Sequence, residues 1–438
     1  MQLDTMKNRE QFSSRLTVVL AMAGSAIGLG NIWRFPYLAG QNGGAAFVLI
    51  YIVACALLAV PVFLAECIIG RRSGSNTFGA MRKLAPGSNY RWAGLLTVIT
   101  PLLLLSYYSV VGGWSVDYLV KACALRFTHD SSGVFSNLLS ATWEPIIAHT
   151  IFMTSTAAVI LLGVHKGIER FTKITMPMLF VLILVIAGFG LTLPGAGKGV
   201  AYLVKPDFTK ITSSVVTSAM GQAFFSMSLG VGTILTYASY VSKKENLMVS
   251  AGGTAIFDLL FALLAGFAVM PAVFAAGLQP GEGPGLLFDT LPFIFSQMAP
   301  WVGALISILF FLSVLVAALT SSISLLEVGV AYMVEEMNVS RKAATIRLAS
   351  ITWAIGVFCS LYGGFFNFLD HLCSDWLMPF GGLLFALFVG WKMSKAEVRE
   401  EFTNGGTRNV KLFNVVYFLI RYIAPVGIVG IFLTTLLG

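Results

Sequence analysis

Residues 23–36 read AGSAIGLGNIWRFP, an apolar stretch that holds Ser25, Asn31 and Arg34 beside glycines at 24, 28 and 30. Glycines this close together weaken a helix in its middle. Inside a membrane, a backbone group freed in this way costs several kcal/mol unless it lines a cavity or binds something. Freed carbonyls suit a hard cation such as sodium. Freed amides, at the positive end of a half-helix, suit an anion such as a carboxylate. One break can therefore hold both ends of a zwitterion together with cations. Residues 226–232, SMSLGVG, repeat the pattern with Ser226, Ser228 and glycines at 230 and 232. A single such break also serves close helix packing. Two matched breaks, each beside hydroxyls or an Asn, point to a binding site.

The elements that carry these breaks follow from composition. The chain has 438 residues, of which 57% are hydrophobic and 11% charged, and its mean hydropathy is +0.84. A soluble domain carries roughly 25% charged residues, so the chain reads as an all-α integral membrane protein. Apolar runs fall near 14–38, 42–70, 92–124, 145–162, 168–191, 213–240, 247–277, 293–334, 344–362, 372–393 and 412–436. Their length means helices, because a barrel would show short alternating strands. Eleven transmembrane helices are expected, with helices 1 and 6 broken, in a single domain over 1–438. The polar start, MQLDTMKNREQFSSR, predicts no cleavable leader. Cys55, Cys67, Cys123, Cys359 and Cys373 form no metal-ligand spacing and read as packing residues, with Cys123 and Cys373 nearest the outside.

Lysine and arginine set the orientation. Lys7, Arg9, Arg15, Arg71, Arg72, Arg82, Lys83, Arg91, Lys166, Arg170, Lys173, Lys243, Lys244, Arg341, Lys342, Arg347 and the run from Lys392 to Lys411 fall on one side. The other side holds only Lys121, Arg126, Lys198, Lys205 and Lys210. The N-terminus is therefore expected in the cytoplasm of a multi-pass protein of the cell membrane, with the loop 277–292 and the C-terminal end outside. The +8 charge is a topology signal and implies no nucleic acid. An odd number of segments per half inverts the second half relative to the first. Residues 14–191 and 213–393 thus read as two inverted five-helix repeats, with 412–436 an additional helix. Interrupted segments at matching positions of inverted halves are the best sequence pointer to a transporter's binding site.

The stretches AGSAIGLGNIWRFPYLAGQNGGAAF, SYYS (106–109), GQAFFSMSLGVGTILTYASYV (221–241) and LTSSISLLE (319–327) resemble the neurotransmitter:sodium symporter family, in its bacterial amino-acid transporter branch. The resemblance runs from the first residues through segment 11. It implies a sodium-coupled symporter, not an enzyme, that imports neutral, large hydrophobic or aromatic amino acids by alternating access. By resemblance, one sodium site uses Asn31, the Ala26 carbonyl, Ser226, Asp258 and the substrate carboxylate. A second uses the carbonyls of Gly24, Ile27 and Ala317 with the hydroxyls of Thr320 and Ser321. The amides of Leu29 and Gly30, with the Tyr108 hydroxyl, would hold the substrate carboxylate, and the Phe225 carbonyl and Ser228 would receive its amino group. Hydroxyls and carbonyls of this kind replace sodium's hydration shell.

Two residues depart from the family pattern. Ser226 stands where Thr is frequent, and the hydroxyl is kept. Asp258 stands where Asn is common. A carboxylate in mid-segment is costly and is a functional candidate by default. It would supply the negative charge that chloride provides in chloride-dependent members, so chloride independence is expected. Gly28 replaces the Asp of amine transporters and leaves room for an α-amino acid's own carboxylate. Leu104, Val231, Ser324 and Leu325, alongside Phe225, would line an uncharged side-chain pocket. By resemblance Arg34 and Asp375 form the outer gate, with Tyr108 and Phe225 as a lid beneath. Arg9 and Glu335, with Tyr240, form the inner gate, and Glu66 supports the broken backbone of segment 6. Segments 1, 2, 6 and 7 would rock against the rest.

Rival readings have less behind them. A membrane enzyme needs a nucleophile–base pair or a metal cluster. His129, His149, His165 and His371 are scattered near loops, and His371 reads as a solvated loop partner of Asp370. A channel could share sodium-binding carbonyls but needs no paired gates. A sensor could share the binding fold without transport. Most family members carry a twelfth segment, so the resemblance leaves the oligomeric state open, and Arg421 in the last segment has no assigned role.

Overall fold

A computed structural model describes residues 11–128, 131, 133–278 and 285–437. Among these the regular structure is entirely helical. Helix α1 (Arg15–Ala26) opens on a capping box: Ser14 Oγ accepts from the Thr17 amide and Thr17 Oγ1 from the Ser14 amide. Ile27 leaves the helix in an extended conformation. The chain resumes as α2 (Gly30–Gln41), bent by 58° from α1. Helix α3 (Ala45–Ser73) follows, then α4 (Thr77–Leu84), α5 (Tyr90–Cys123), α6 (Val134–Ser140), α7 (Trp143–Leu161) and α8 (Val164–Leu191). The second half holds α9 (Ala196–Val204), α10 (Ser213–Ser226), α11 (Thr233–Ala238), α12 (Leu247–Ala275), α13 (Leu286–Ser296), α14 (Pro300–Glu336), α15 (Arg341–Leu361), α16 (Gly363–Lys392), α17 (Lys395–Phe402) and α18 (Phe413–Leu436).

Nine helices among the described residues are long and apolar enough to cross a bilayer, and the bent pair α1/α2 makes a tenth. The expected segment 6 is two short helices, α10 and α11, separated by residues 227–232. In that gap Ser228, Gly230 and Gly232 take φ of +51°, +79° and +71°. Ser228 is a side chain held in left-handed backbone, a conformation that persists only where its surroundings enforce it. The structure corrects three boundaries. Helix α14 begins at Pro300 rather than near 293, because Ala299 is extended and Pro300 suits a first turn. Residues 363–371, which fall between the expected segments 344–362 and 372–393, form the first turns of α16. The run 392–411 contains the amphipathic helix α17, capped by Ser394 and Glu397.

Helix α5 is about 50 Å long at 1.5 Å per residue; it packs along α14, α7 and α15. Helix α1 lies against α12, α14 and α8, and α11 lies against α3. Both breaks therefore sit inside the bundle. The outer surface is apolar, with Ile151, Val181, Leu184, Ile351 and Val426 exposed, as suits lipid contact. Four cysteines are buried, Cys373 among them, and Cys123 is exposed.

Candidate functional site

The break in α1/α2 is held from several directions. The Gly28 amide donates to Asn31 Oδ1 at 3.1 Å, and Gln222 Nε2 donates to the Gly30 carbonyl at 2.9 Å. The Ser25 carbonyl accepts Ser228 Oγ at 2.8 Å and Ser321 Oγ at 3.2 Å. The break after α10 is held by Glu66, fully buried on α3. Its two carboxylate oxygens accept the Gly230 amide at 2.8 Å and the Leu235 amide at 3.3 Å. Gly230 lies against the Met378 carbonyl of α16, where a Cβ would collide. Only glycine fits a left-handed position pressed on another backbone.

Asn31, Ser226 and Asp258 meet in one fully enclosed cluster. Asn31 Nδ2 donates to Asp258 Oδ1 at 2.8 Å and to Ser226 Oγ at 2.9 Å. Ser226 Oγ reaches both oxygens of Asp258, at 2.9 and 2.8 Å. Tyr51 joins from α3, donating to Asp258 Oδ2 at 3.3 Å and to Ser226 Oγ at 3.2 Å. Nothing in the sequence pattern singled out Tyr51, an aromatic residue in an apolar helix. Three donors thus compensate a buried carboxylate. One carboxylate, one amide and hydroxyls form the hard-oxygen donor set of an alkali cation.

On the other side of the α1/α2 break, Thr320 Oγ1 donates to the Ala317 carbonyl at 2.9 Å and stands 3.4 Å from the Ile27 carbonyl. Ser321 Oγ also lies 3.4 Å from the Ile27 carbonyl. The backbone of Gly24 runs beside Thr320, where an added Cβ would stand 3.5 Å from the threonine Cβ.

Between the two breaks lies a cavity of about 30 Å³, lined by Ala26, Gly28, Leu29, Gly30, Leu104, Tyr108, Phe225, Ser228, Val231, Ser321, Leu325 and Met378. It has room for one or two waters, so a bulky solute requires the walls to part. The Leu29 amide points at the Tyr108 hydroxyl, 3.4 Å away. The Phe225 carbonyl accepts the Ser228 amide at 3.1 Å. Ser324 departs from expectation: its hydroxyl donates to the Ser321 carbonyl and bonds Ser25 Oγ, both at 2.8 Å, and it does not line this cavity. Met378, on α16, is the wall residue that the sequence reading lacked.

A larger opening of about 470 Å³ has Arg34, Asp375, Ser374, Ser218 and Thr434 among its lining. Arg34 and Asp375 share it, but among the described residues no ion pair joins them. Asp375 Oδ2 instead bonds His371 Nδ1 at 2.9 Å, one helical turn away. His371 is therefore a helical partner of Asp375 rather than a loop partner of Asp370. His149 too is no loop residue: it is buried within α7 and bonds Ser109 at 2.9 Å.

At the opposite end of the bundle, Tyr240 donates to Glu327 at 2.8 Å, and Arg341 closes on the same carboxylate at 2.6 Å. Glu335 accepts the backbone and side-chain amides of Asn76 at 2.8 and 3.0 Å. Arg9 lies outside the described residues. Three residues on, the Phe12 amide donates to the Tyr240 carbonyl, and Ser13 bonds Glu169 through both its amide and its hydroxyl.

The model of the sodium:neurotransmitter symporter family matches residues 9–137 and 132–438. The chain is 39% identical to the uncharacterized sodium-dependent transporter YhdH of Bacillus subtilis, over 97% of each chain. It is 32% identical to an uncharacterized sodium-dependent transporter of Haemophilus influenzae, covering 98% of this chain and 99% of that one. Its structure is similar to the crystal structure of MhsT in complex with L-phenylalanine, with a TM-score of 0.90, 40% identity, and coverage of 97% and 99% of the two chains.

Proposed function

The chain belongs to the sodium:neurotransmitter symporter family, whose members are sodium-dependent secondary transporters rather than enzymes, and on that premise we propose that it imports a neutral α-amino acid with a large hydrophobic or aromatic side chain. The observation that carries this reading is the cavity between the two helix breaks. Its polar end includes the Leu29 amide and Tyr108 hydroxyl, and its apolar walls include Leu104, Phe225, Val231, Leu325 and Met378. Among the described residues no charged side chain lines it, so an uncharged substrate side chain meets no unpaired partner. The likeness to MhsT in complex with L-phenylalanine supports the aromatic preference.

Two sodium ions are the proposed co-substrates. The first would take Asn31, Ser226, Asp258, the Ala26 carbonyl and the substrate carboxylate. The Asn31 amide presents Nδ2 to Asp258. It would turn to offer Oδ1 when the cation takes over the neutralising of that carboxylate. The second ion would take the Gly24, Ile27 and Ala317 carbonyls with Thr320 and Ser321, whose hydroxyls already converge on two of those carbonyls. Asp258 supplies a fixed negative charge, and chloride is not required.

The N-terminus is assigned to the cytoplasmic side of the cell membrane on the lysine and arginine asymmetry. The halves 14–191 and 213–393 are taken as inverted repeats, with 412–436 added. Arg34 and Asp375 then guard the outer opening, and Arg9, Glu335 and Tyr240 the inner one. In proteoliposomes with sodium outside, a mixed amino-acid pool is read by mass spectrometry. Accumulation of phenylalanine, tryptophan, tyrosine or leucine above the outside concentration, lost when potassium replaces sodium, is the expected result. Equilibration without accumulation would mean a channel. Sodium-dependent binding without uptake would mean a sensor.

A further inference from the structure

Helix α17 divides its charges between two faces. Glu397 and Glu400 reach Arg72 at 3.5 and 3.0 Å, and Glu401 holds the buried Arg71 at 2.5 Å and Lys243 at 2.8 Å. These carboxylates fasten α17 to α3 and to the loop after α11. The basic residues of α17 turn elsewhere. Lys395 Nζ stands 5.5 Å from the centroid of the Tyr417 ring, and Arg399 Cζ 6.0 Å from that of Phe413, both at the start of α18.

A third cation shares the Tyr417 ring with Lys395 from inside the bilayer span: Arg421 Cζ stands 5.9 Å from its centroid. Arg421 lies two helical turns along α18 from Phe413, about 12 Å deeper at 1.5 Å per residue. Its Nη1 donates to the Tyr417 hydroxyl at 3.2 Å, and its guanidinium stacks 4.3 Å from the Trp391 ring centroid. Its stem presses on Gly390, where a Cβ would come within 2.8 Å of the Arg421 Cα. Arg421 Nε is enclosed and without a hydrogen-bond partner. Among the described residues, no carboxylate lies within ion-pair distance of Lys395, Arg399 or Arg421. Aromatic faces attract each cation, but they do not remove the repulsion among three. Trp391 and Phe418 beside them are more than half exposed on the apolar outer surface.

We propose that Lys395, Arg399 and Arg421, on the aromatic platform of Trp391, Phe413 and Tyr417, bind the headgroup of an anionic phospholipid from the surrounding bilayer. The phosphate supplies the missing anion, and the exposed Trp391 and Phe418 lie where its acyl chains run. A basic pocket between helix ends at the membrane surface is the setting in which such headgroups are held, and a guanidinium forks onto phosphate oxygens. The bound lipid bridges α16, α17 and α18. Because the carboxylates of α17 are fastened to α3, it also ties α18 to that helix.

The test is native mass spectrometry of the detergent-solubilised full chain, titrated with phosphatidylglycerol and phosphatidylcholine of identical acyl chains. The first phosphatidylglycerol is expected to bind at least about tenfold more tightly than phosphatidylcholine. Each neutralised cation is expected to weaken it about fivefold. The Arg421→Gln variant and the Lys395→Gln/Arg399→Gln double variant should therefore lose most of the preference, while Arg421→Lys keeps part of it. The double variant alters exposed side chains and carries the test if Arg421→Gln does not fold. Equal binding of the two lipids, or an unchanged preference in the double variant, overturns the proposal. The same loss in an Arg347→Gln control would show diffuse attraction in place of a site. Displacement of the lipid by excess inorganic phosphate would make a soluble anion the occupant and overturn the lipid assignment.

Discussion

The Arg34 guanidinium stands 4.7 Å from the centroid of the Phe225 ring. Phe225 lines the inner cavity and Arg34 the larger opening, so this pair joins the linings of the two. Asp375 lines the same opening as Arg34. Closure would bring the two charges together as the ring is pressed down on a bound solute. Arg34→Gln and Asp375→Asn should each slow uptake about tenfold, within the range for paired residues, and the double variant should be no slower than either. Uptake that falls multiplicatively in the double variant would mean that the two residues act independently.

The Asp258 cluster makes a separate statement about ions. Removing one hydrogen bond to a charged group costs about 1.5–3 kcal/mol, and removing the charge itself takes an anion from beside sodium. Asp258→Asn should raise the sodium concentration for half-maximal uptake at least about tenfold. Tyr51→Phe, which leaves Asn31 and Ser226 in place, should raise it only about threefold, less than the full worth of a hydrogen bond to a charged group, because its bond to Asp258 is long, 3.3 Å. Native uptake should be the same in gluconate as in chloride. A strict chloride requirement in the native protein would remove the role assigned to the Asp258 charge.

How much of this was legible beforehand depends on the distance over which each feature is encoded. The breaks at 25–31 and 226–232 announce themselves locally, through glycines and hydroxyls inside apolar runs. Asp258 is equally visible as a lone carboxylate in mid-segment. Tyr51, Gln222 and Met378 reach the breaks from other helices, and their side chains are ordinary for the helices they sit on. Glu327 and Arg341 are fourteen residues apart and meet only across a turn between α14 and α15. Ser324 has a hydroxyl on the helix that carries Thr320 and Ser321. Its choice of Ser25 over the cavity is a packing outcome that spacing does not fix. The capping box at Ser394 and Glu397 did encode α17, but the density of charges around it read as a loop.

Glu66 is the structural counterpart of the second break. It accepts two amides that α10 and α11 cannot satisfy, and a buried amide left unpaired costs about 1–3 kcal/mol. Glu66→Ala orphans both and should lower the midpoint of thermal unfolding by several degrees and abolish uptake. Glu66→Gln keeps one acceptor oxygen and should fall between the two. A Glu66→Ala protein with native unfolding and native uptake would show that the break is held by other contacts.

In the proposed transporter, substrate size would be set where Val231 meets the cavity. The side chain is fully buried in the backbone segment between α10 and α11, opposite Leu104 and Leu325. That segment is fixed by Glu66 on one side and by the contact of Gly230 with α16 on the other, so a larger residue at 231 has little backbone freedom to retreat. Overpacking a site of this kind costs about 1–3 kcal/mol, and here the cost falls on the substrates that need the space. Val231→Phe should reduce phenylalanine uptake at least about tenfold while changing alanine uptake less than about threefold. Competition between the two labelled amino acids in one proteoliposome preparation measures the ratio directly, free of differences in reconstitution. Equal losses for both would place the size filter elsewhere on the wall, at Leu104 or Met378.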